Sequence, residues 1–195
     1  MRKINPKYIK FINNYRSDVS KSIDDLFKIQ KDKIVRLVEN IKTVKKNKGK
    51  IIIFGNGGSA ATASHFSVDL TKNAKIRAVN FNEADLITCL SNDYGHDNWV
   101  KKAIEFYIDK NDLVILISTS GNSKNVINAA KFLKNKKFSF FSLTGMKKNN
   151  LLNKITNSKN NLWVNNMSYN QIEIVHHLIL LLTIDILIGK SVYKA

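Results

Sequence analysis

His65 and Asp69 stand four residues apart in a helical pattern and therefore share one face. On a second, mostly apolar helical stretch, Glu173 precedes His176 by three residues and His177 by four. A carboxylate and an imidazole held side by side can act as general base and general acid. Polar groups on an apolar helix are also costly unless they find partners. Ahead of His65, the β-branched run Ile51–Phe54 stops at Gly55-Asn56-Gly57-Gly58-Ser59, and the small residues Ala60, Ala61 and Ala63 then open the helix. That order is strand, glycine loop, helix. It leaves backbone N–H groups bare beside the positive end of a helix and lets an anion approach without meeting a Cβ. The device recurs where the apolar run Leu113–Ile117 ends in Ser118-Thr119-Ser120-Gly121-Asn122-Ser123 and a helix follows. Two such loops at the carboxyl ends of parallel strands predict a site for a sugar-phosphate-type ligand.

The elements that must position these groups can be read from periodicity. Asn5 and Pro6 make an N-cap and first helical residue. The spacing of Ile9, Ile12, Tyr15, Val19 and Ile23, and then of Ile34, Leu37, Val38, Ile41 and Val44, predicts two amphipathic helices before the first strand. These helices cannot be crossovers of the sheet, so they must cover one end of it or pack on another copy of the chain. Further strands are predicted near Ile76 to Asn80, Phe138 to Leu143 and Leu162 to Val164. Helices are predicted over Ala84 to Leu90, Asn98 to Tyr107, Asn125 to Phe132 and Gln171 to Ile188, with Ser91-Asn92-Asp93-Tyr94-Gly95 as a turn-rich loop. Gly55, Gly57 and Ala60 also satisfy a dinucleotide fingerprint. The carboxylate that would hold the ribose is missing, however, since the second strand ends in Asn80. No nucleotide cofactor is expected.

At 195 residues, with 44% hydrophobic and 24% charged residues, the chain suits one soluble domain, with residues 1–48 as a helical segment and 49–195 as an α/β core. The single cysteine, Cys89, excludes an internal disulfide and fits a reducing compartment. The N-terminal MRKINPKYIK has no apolar leader core, and the C-terminal apolar run is interrupted by Asp185 and reads as too short to span a bilayer. A cytoplasmic protein without a membrane partner is expected. The net charge of +17 is spread over lysine- and asparagine-rich surface segments without interleaved aromatic residues, so no nucleic-acid partner is expected.

GNGGSA, SNDYG and STSGNS, in this order after the N-terminal helices, resemble the sugar isomerase (SIS) domain and specifically its bacterial phosphoheptose isomerase branch, over nearly the whole chain. The resemblance implies a three-layer α/β sandwich of flavodoxin-like type, with a five-stranded parallel sheet flanked by helices. It implies a homotetramer with sites between subunits. It further implies that Ser59, Ser118, Thr119, Ser120 and Ser123 hold the phosphate while Asn56, Gly57, Gly58, Asn92 and Asp93 line the sugar. The family reaction interconverts sedoheptulose 7-phosphate and an aldoheptose 7-phosphate for surface-polysaccharide heptose synthesis. It requires a base between C1 and C2, an acid to open the ring and a group that polarises the carbonyl.

In that family the helix after the glycine loop carries a histidine and a glutamate four apart, and the last helix carries a glutamine and a histidine two turns on; some members bind zinc through these side chains. Here His65 matches, Asp69 replaces the glutamate, Glu173 the glutamine, and Leu181 stands at the second histidine position. Asp69 or Glu173 is then the expected enediol base. His177 or His176 is the expected acid, with His177 preferred because it shares a face with Glu173 and Leu181. His65, Asp69, Glu173 and His177 form the candidate zinc set. The alternative reading is a SIS-domain scaffold without catalysis, like a replication-initiator-associating relative.

Overall fold

A computed structural model describes residues 5–192; residues 1–4, part of the stretch read above for a leader, lie outside the described residues. The first element is α1 (Pro6–Lys46), whose cap Asn5 accepts the Lys7 N–H at 3.0 Å. It is one helix of 41 residues where the periodicity predicted two. The reason is that no glycine or second proline lies between Pro6 and Gly49, so nothing stops propagation. The buried positions Ser22, Leu26, Gln30, Ile34, Leu37, Val38, Ile41 and Val44 form one continuous stripe across the expected break. No residue of α1 before Ser22 is buried.

The sheet comprises β1 (Ile51–Phe54), β2 (Ala78–Asn80), β3 (Leu113–Ser118), β4 (Ser139–Thr144) and β5 (Asn161–Trp163). All pairs are parallel and the order is β2-β1-β3-β4-β5. The helices are α2 (Gly58–Lys72), α3 (Ala84–Tyr94), α4 (Trp99–Tyr107), α5 (Lys124–Asn135), α6 (Leu151–Ile155) and α7 (Tyr169–Ile188), with one 3₁₀ turn at Ser158–Asn160. Parallel strands covered on both faces must be apolar throughout. In β1, Ile51 and Ile53 enter a core shared with α1, α2 and α7, whereas Ile52 and Phe54 enter one shared with α4, α5 and α6. The period-two alternation of the strand thus feeds both layers.

Two local differences follow from capping. The Ser91–Tyr94 segment, expected as a loop, is the last turn of α3, which stops only at Gly95 with φ of 81°. The short α6, not expected, is started by the Asn150 side chain accepting the Asn153 N–H at 2.9 Å. The last helix, α7, has the length and apolarity to cross a membrane, longer than the apolar run read from the sequence. In the fold Ile172, Val175, Ile179, Leu180 and Ile184 of α7 are buried in the first core.

The free edge of β5 is closed by a side chain. Gln30 of α1 donates from Nε2 to the Trp163 carbonyl at 2.6 Å and accepts the Trp163 N–H at 3.1 Å, as a neighbouring strand would. Gln30→Ala leaves both backbone groups without that partner and should cost about 1–3 kcal/mol. The measurement is the urea unfolding midpoint, which should fall well below that of the wild type.

Candidate active site

The strand order reverses at β1 and β3, and ligands of open parallel sheets sit in the crevice at such a point. The glycine loop leaves β1 and the serine loop leaves β3, so both N-termini, of α2 and of α5, open on the same crevice. Across it the Ser59 and Thr119 hydroxyls stand 3.5 Å apart, both on buried residues. Asn56 and Asn125 exchange amide hydrogen bonds at 3.0 and 2.9 Å and so tie the glycine loop to the first turn of α5. Within the serine loop Ser118 donates to Ser123 at 3.2 Å, and the Ser120 hydroxyl accepts the Asn122 N–H. Gly121, with φ of 66°, has no room for a Cβ because Asn150 is packed against it.

Gly58 opens α2, and a Cβ there would collide with the carboxylate of Glu173. The glycine therefore admits Glu173 to the positive end of the α2 dipole, a favourable place for a carboxylate. One turn along both helices the same face continues. Thr62 Oγ1 lies 3.4 Å from His177 Nδ1, and His177 Nε2 lies 3.1 Å from His65 Nδ1. His65 Nε2 lies 3.3 Å from Asp69 Oδ2, and Asp69 Oδ1 accepts the Asn73 amide at 3.0 Å. The carboxylate sets the direction of the chain when both rings are neutral. It takes the proton of His65 Nε2, His65 Nδ1 then accepts from His177 Nε2–H, and His177 Nδ1 accepts from Thr62. Burial first, and then the neighbouring His65, hold His177 below the ordinary histidine range, with Asp69 acting in the opposite direction.

His176 points the other way. It is 1% exposed, and its Nε2 lies 3.1 Å from the Thr144 carbonyl oxygen. Of the two adjacent histidines, only His177 reaches His65. Leu181, at the position where a histidine was expected, lines an apolar groove with His177, Phe27, Ile174, Leu178 and Leu182.

Other expected residues are not brought together within the chain. Asn92 and Asp93 lie on the last turn of α3, exposed, where Asn92 donates to Asp93 at 3.0 Å and neither is bonded to the glycine or serine loop. For the expected zinc set, no three His, Cys, Asp or Glu side chains among the described residues converge on a point that could hold a metal ion. His65 spends one ring nitrogen on His177 and the other on Asp69. The four side chains as placed therefore do not fit a metal, and no step is derived through one. At the end of β2, Asn80 bonds to Ser64 and Ser67 of α2. Thr62, Asn125 and Asn150 were not singled out from the sequence. Asn125 is itself the predicted start of the helix after the serine loop, which is a signal of sorts, whereas nothing local marks Thr62 or Asn150.

Residues 14–145 match the SIS domain family model, a span that ends before α7. A phosphoheptose isomerase of Helicobacter pylori is 36% identical over 137 residues, covering 67% of this chain and 69% of the relative. One of Buchnera aphidicola is 37% identical over 145 residues, covering 67% and 75%. The solved structure of a phosphoheptose isomerase from Neisseria gonorrhoeae superposes with a TM-score of 0.85 at 28% identity, over 92% of this chain and 99% of that one.

His176 makes stability depend on pH. Burial lowers its pKa from 6.5 to about 4, with the Thr144 carbonyl pulling it back up. The unfolded chain, with the ordinary value, binds more protons in that window. The contribution of neutral His176 is therefore intact above pH 6.5 and lost as the pH falls towards about 4. The loss should reach roughly 3 kcal/mol at most. Urea midpoints measured between neutral and acidic pH should fall in the wild type and fall less in His176→Gln; equal slopes would contradict this assignment.

Proposed function

Since the chain belongs to the SIS domain family, and within it to the phosphoheptose isomerases, we propose that it is an aldose–ketose isomerase interconverting sedoheptulose 7-phosphate and D-glycero-D-manno-heptose 7-phosphate. The observation that carries the reading is the meeting of Glu173 and the His177–His65–Asp69 chain with the glycine loop. A phosphate held at the crevice between the α2 and α5 N-termini places the sugar within reach of both. The phosphate is assigned to Ser59, Thr119 and the other hydroxyls of the serine loop, with backbone N–H groups of both helix starts.

Glu173 is assigned as the base, because Asp69 is already committed to His65 and Asn73. The Glu173 carboxylate takes a proton from C1 of the ketose while the C2 carbonyl oxygen receives one from the histidine pair, which yields the enediol. Returning the first proton to C2 while the pair recovers a proton from the C1 hydroxyl produces the aldose. In the neutral chain every ring nitrogen is engaged, so the pair acts with one further proton. Asp69 supports the doubly protonated His65, and His65 Nδ1–H donates to His177 Nε2. His177 Nδ1–H, exchanging its 3.4 Å contact with Thr62 for the substrate oxygen, delivers the proton and leaves both rings neutral. The scaffold reading is not favoured. His177, four residues before Leu181, reaches the partner histidine that Leu181 has no chemistry to serve. Surface-polysaccharide heptose synthesis in the cytoplasm is the setting that suits such a substrate.

Incubation with sedoheptulose 7-phosphate should yield aldose. His177→Ala should lower kcat by at least about a hundredfold, the scale of a lost acid–base group, without altering assembly. A wild type inactive on heptulose phosphates, or an alanine variant as active as wild type, would refute the assignment.

We further propose a homotetramer. The exposed Tyr8, Ile9, Phe11 and Ile12 on the outer half of α1, and the apolar groove beside His177, are surfaces for other copies of the chain. Analytical ultracentrifugation should give a tetramer at micromolar concentration, and a monomer would overturn this part of the proposal.

A further inference from the structure

A second cavity, of about 330 Å³, lies at the far edge of the sheet from the glycine loop, between the middle of α1, the edge strand β5 and the loop that follows β4. We propose that it binds a nucleoside monophosphate, with the base against Trp163 and the phosphate between Lys33 and Lys148.

The two ammonium groups are brought together by structure on both sides. Lys33 donates to Gln30 Oε1 at 3.3 Å, and Gln30 is itself clamped to both backbone groups of Trp163. Lys148 lies in a loop whose three successive carbonyls are each held by a side chain: Met146 by the Trp163 indole N–H at 3.1 Å, Lys147 by Asn150 at 2.9 Å and Lys148 by Asn153 at 2.9 Å. The backbone at Met146 is in the left-handed region, with φ of 53°, which these contacts must sustain. Lys148 Nζ stands 5.8 Å from the centre of the Trp163 ring. Among the described residues neither lysine is in an ion pair. Burial, and then the charge of Lys148, hold Lys33 below the usual lysine value. An anion seated between them relieves both penalties.

The rest of the cavity selects the ligand. Leu26, Ile29 and the Trp163 indole form an apolar wall, which a bare phosphate or a phosphorylated sugar would leave uncovered and a planar base would fill. Two lysines match the charge of one phosphate monoester. Asp25 at the same cavity opposes a more highly charged polyphosphate and offers an acceptor to a ribose hydroxyl. The volume is at the small end for ligand pockets and accommodates one nucleotide unit.

The test follows tryptophan fluorescence of the full chain during titration with AMP, with inorganic phosphate and ribose 5-phosphate as separate arms. Trp99 is 2% exposed and supplies a constant background. AMP should give a saturable change that Trp163→Phe removes. Lys33→Ala and Lys148→Ala should each weaken it by roughly tenfold, the value of one charge-assisted contact. Both variants should retain wild-type isomerase activity and sedimentation. The proposal is overturned by no saturable response to AMP at millimolar concentration, by a response that survives both lysine substitutions, or by inorganic phosphate or ribose 5-phosphate binding as tightly as AMP.

Discussion

The packing of α7 against α2 is the contact on which the site depends. The two helices meet along rows spaced by three or four residues, with Gly58, Thr62, His65 and Asp69 on one and Glu173 and His177 on the other. Gly58 is the permissive point, because any side chain there would push Glu173 away and with it the register of the whole row. The row also explains how a chain with leucine at position 181 presents a histidine. His177 sits four residues earlier on the same face, and it meets His65 where the two helices are close.

The second constraint is the strand order. With β1 and β3 adjacent and their crossovers leaving on opposite faces, two helix N-termini and the two loops that precede them are forced to share a crevice. Loops of small residues would be mobile if left alone, and here each is braced from outside. Asn125 holds Asn56, Asn150 fills the space beside Gly121, and the Gly145 N–H bonds to the Thr119 carbonyl at 2.9 Å. The walls of the crevice are thereby fixed in advance, as a site for an anion between two helix N-termini would require. The same β4–α6 segment carries Lys148 into the second cavity, so the two regions share one piece of backbone.

Much was legible locally. Continuous apolar runs announce buried parallel strands, as in Ile51–Phe54 and Leu113–Ile117. Glycine- and serine-rich stretches after them announce the loops that lead into the N-termini of α2 and α5, and the four-residue spacing of Glu173 and His177 puts them on one face. Those are properties of covalent geometry and helix period, which act over a few residues. The differences are local too: a change in hydrophobic pattern without a glycine or proline to enforce a break leaves α1 continuous, and the turn formers at Ser91–Tyr94 are carried by α3 as far as Gly95.

What sequence alone determined was therefore the type of each element, the chemistry of each loop and the pairs that share a helix face. Tertiary structure decided which of two adjacent histidines meets His65 and which is buried, since a rotation of about 100° between neighbours separates crevice from core only once α7 has a fixed orientation on the sheet. It also decided that His65 uses both ring nitrogens on protein partners, and that Gly58 makes room for a carboxylate 115 residues further on. Contacts between residues so distant in the chain have no local signature, because they arise from the packing of helices whose positions are set by the sheet.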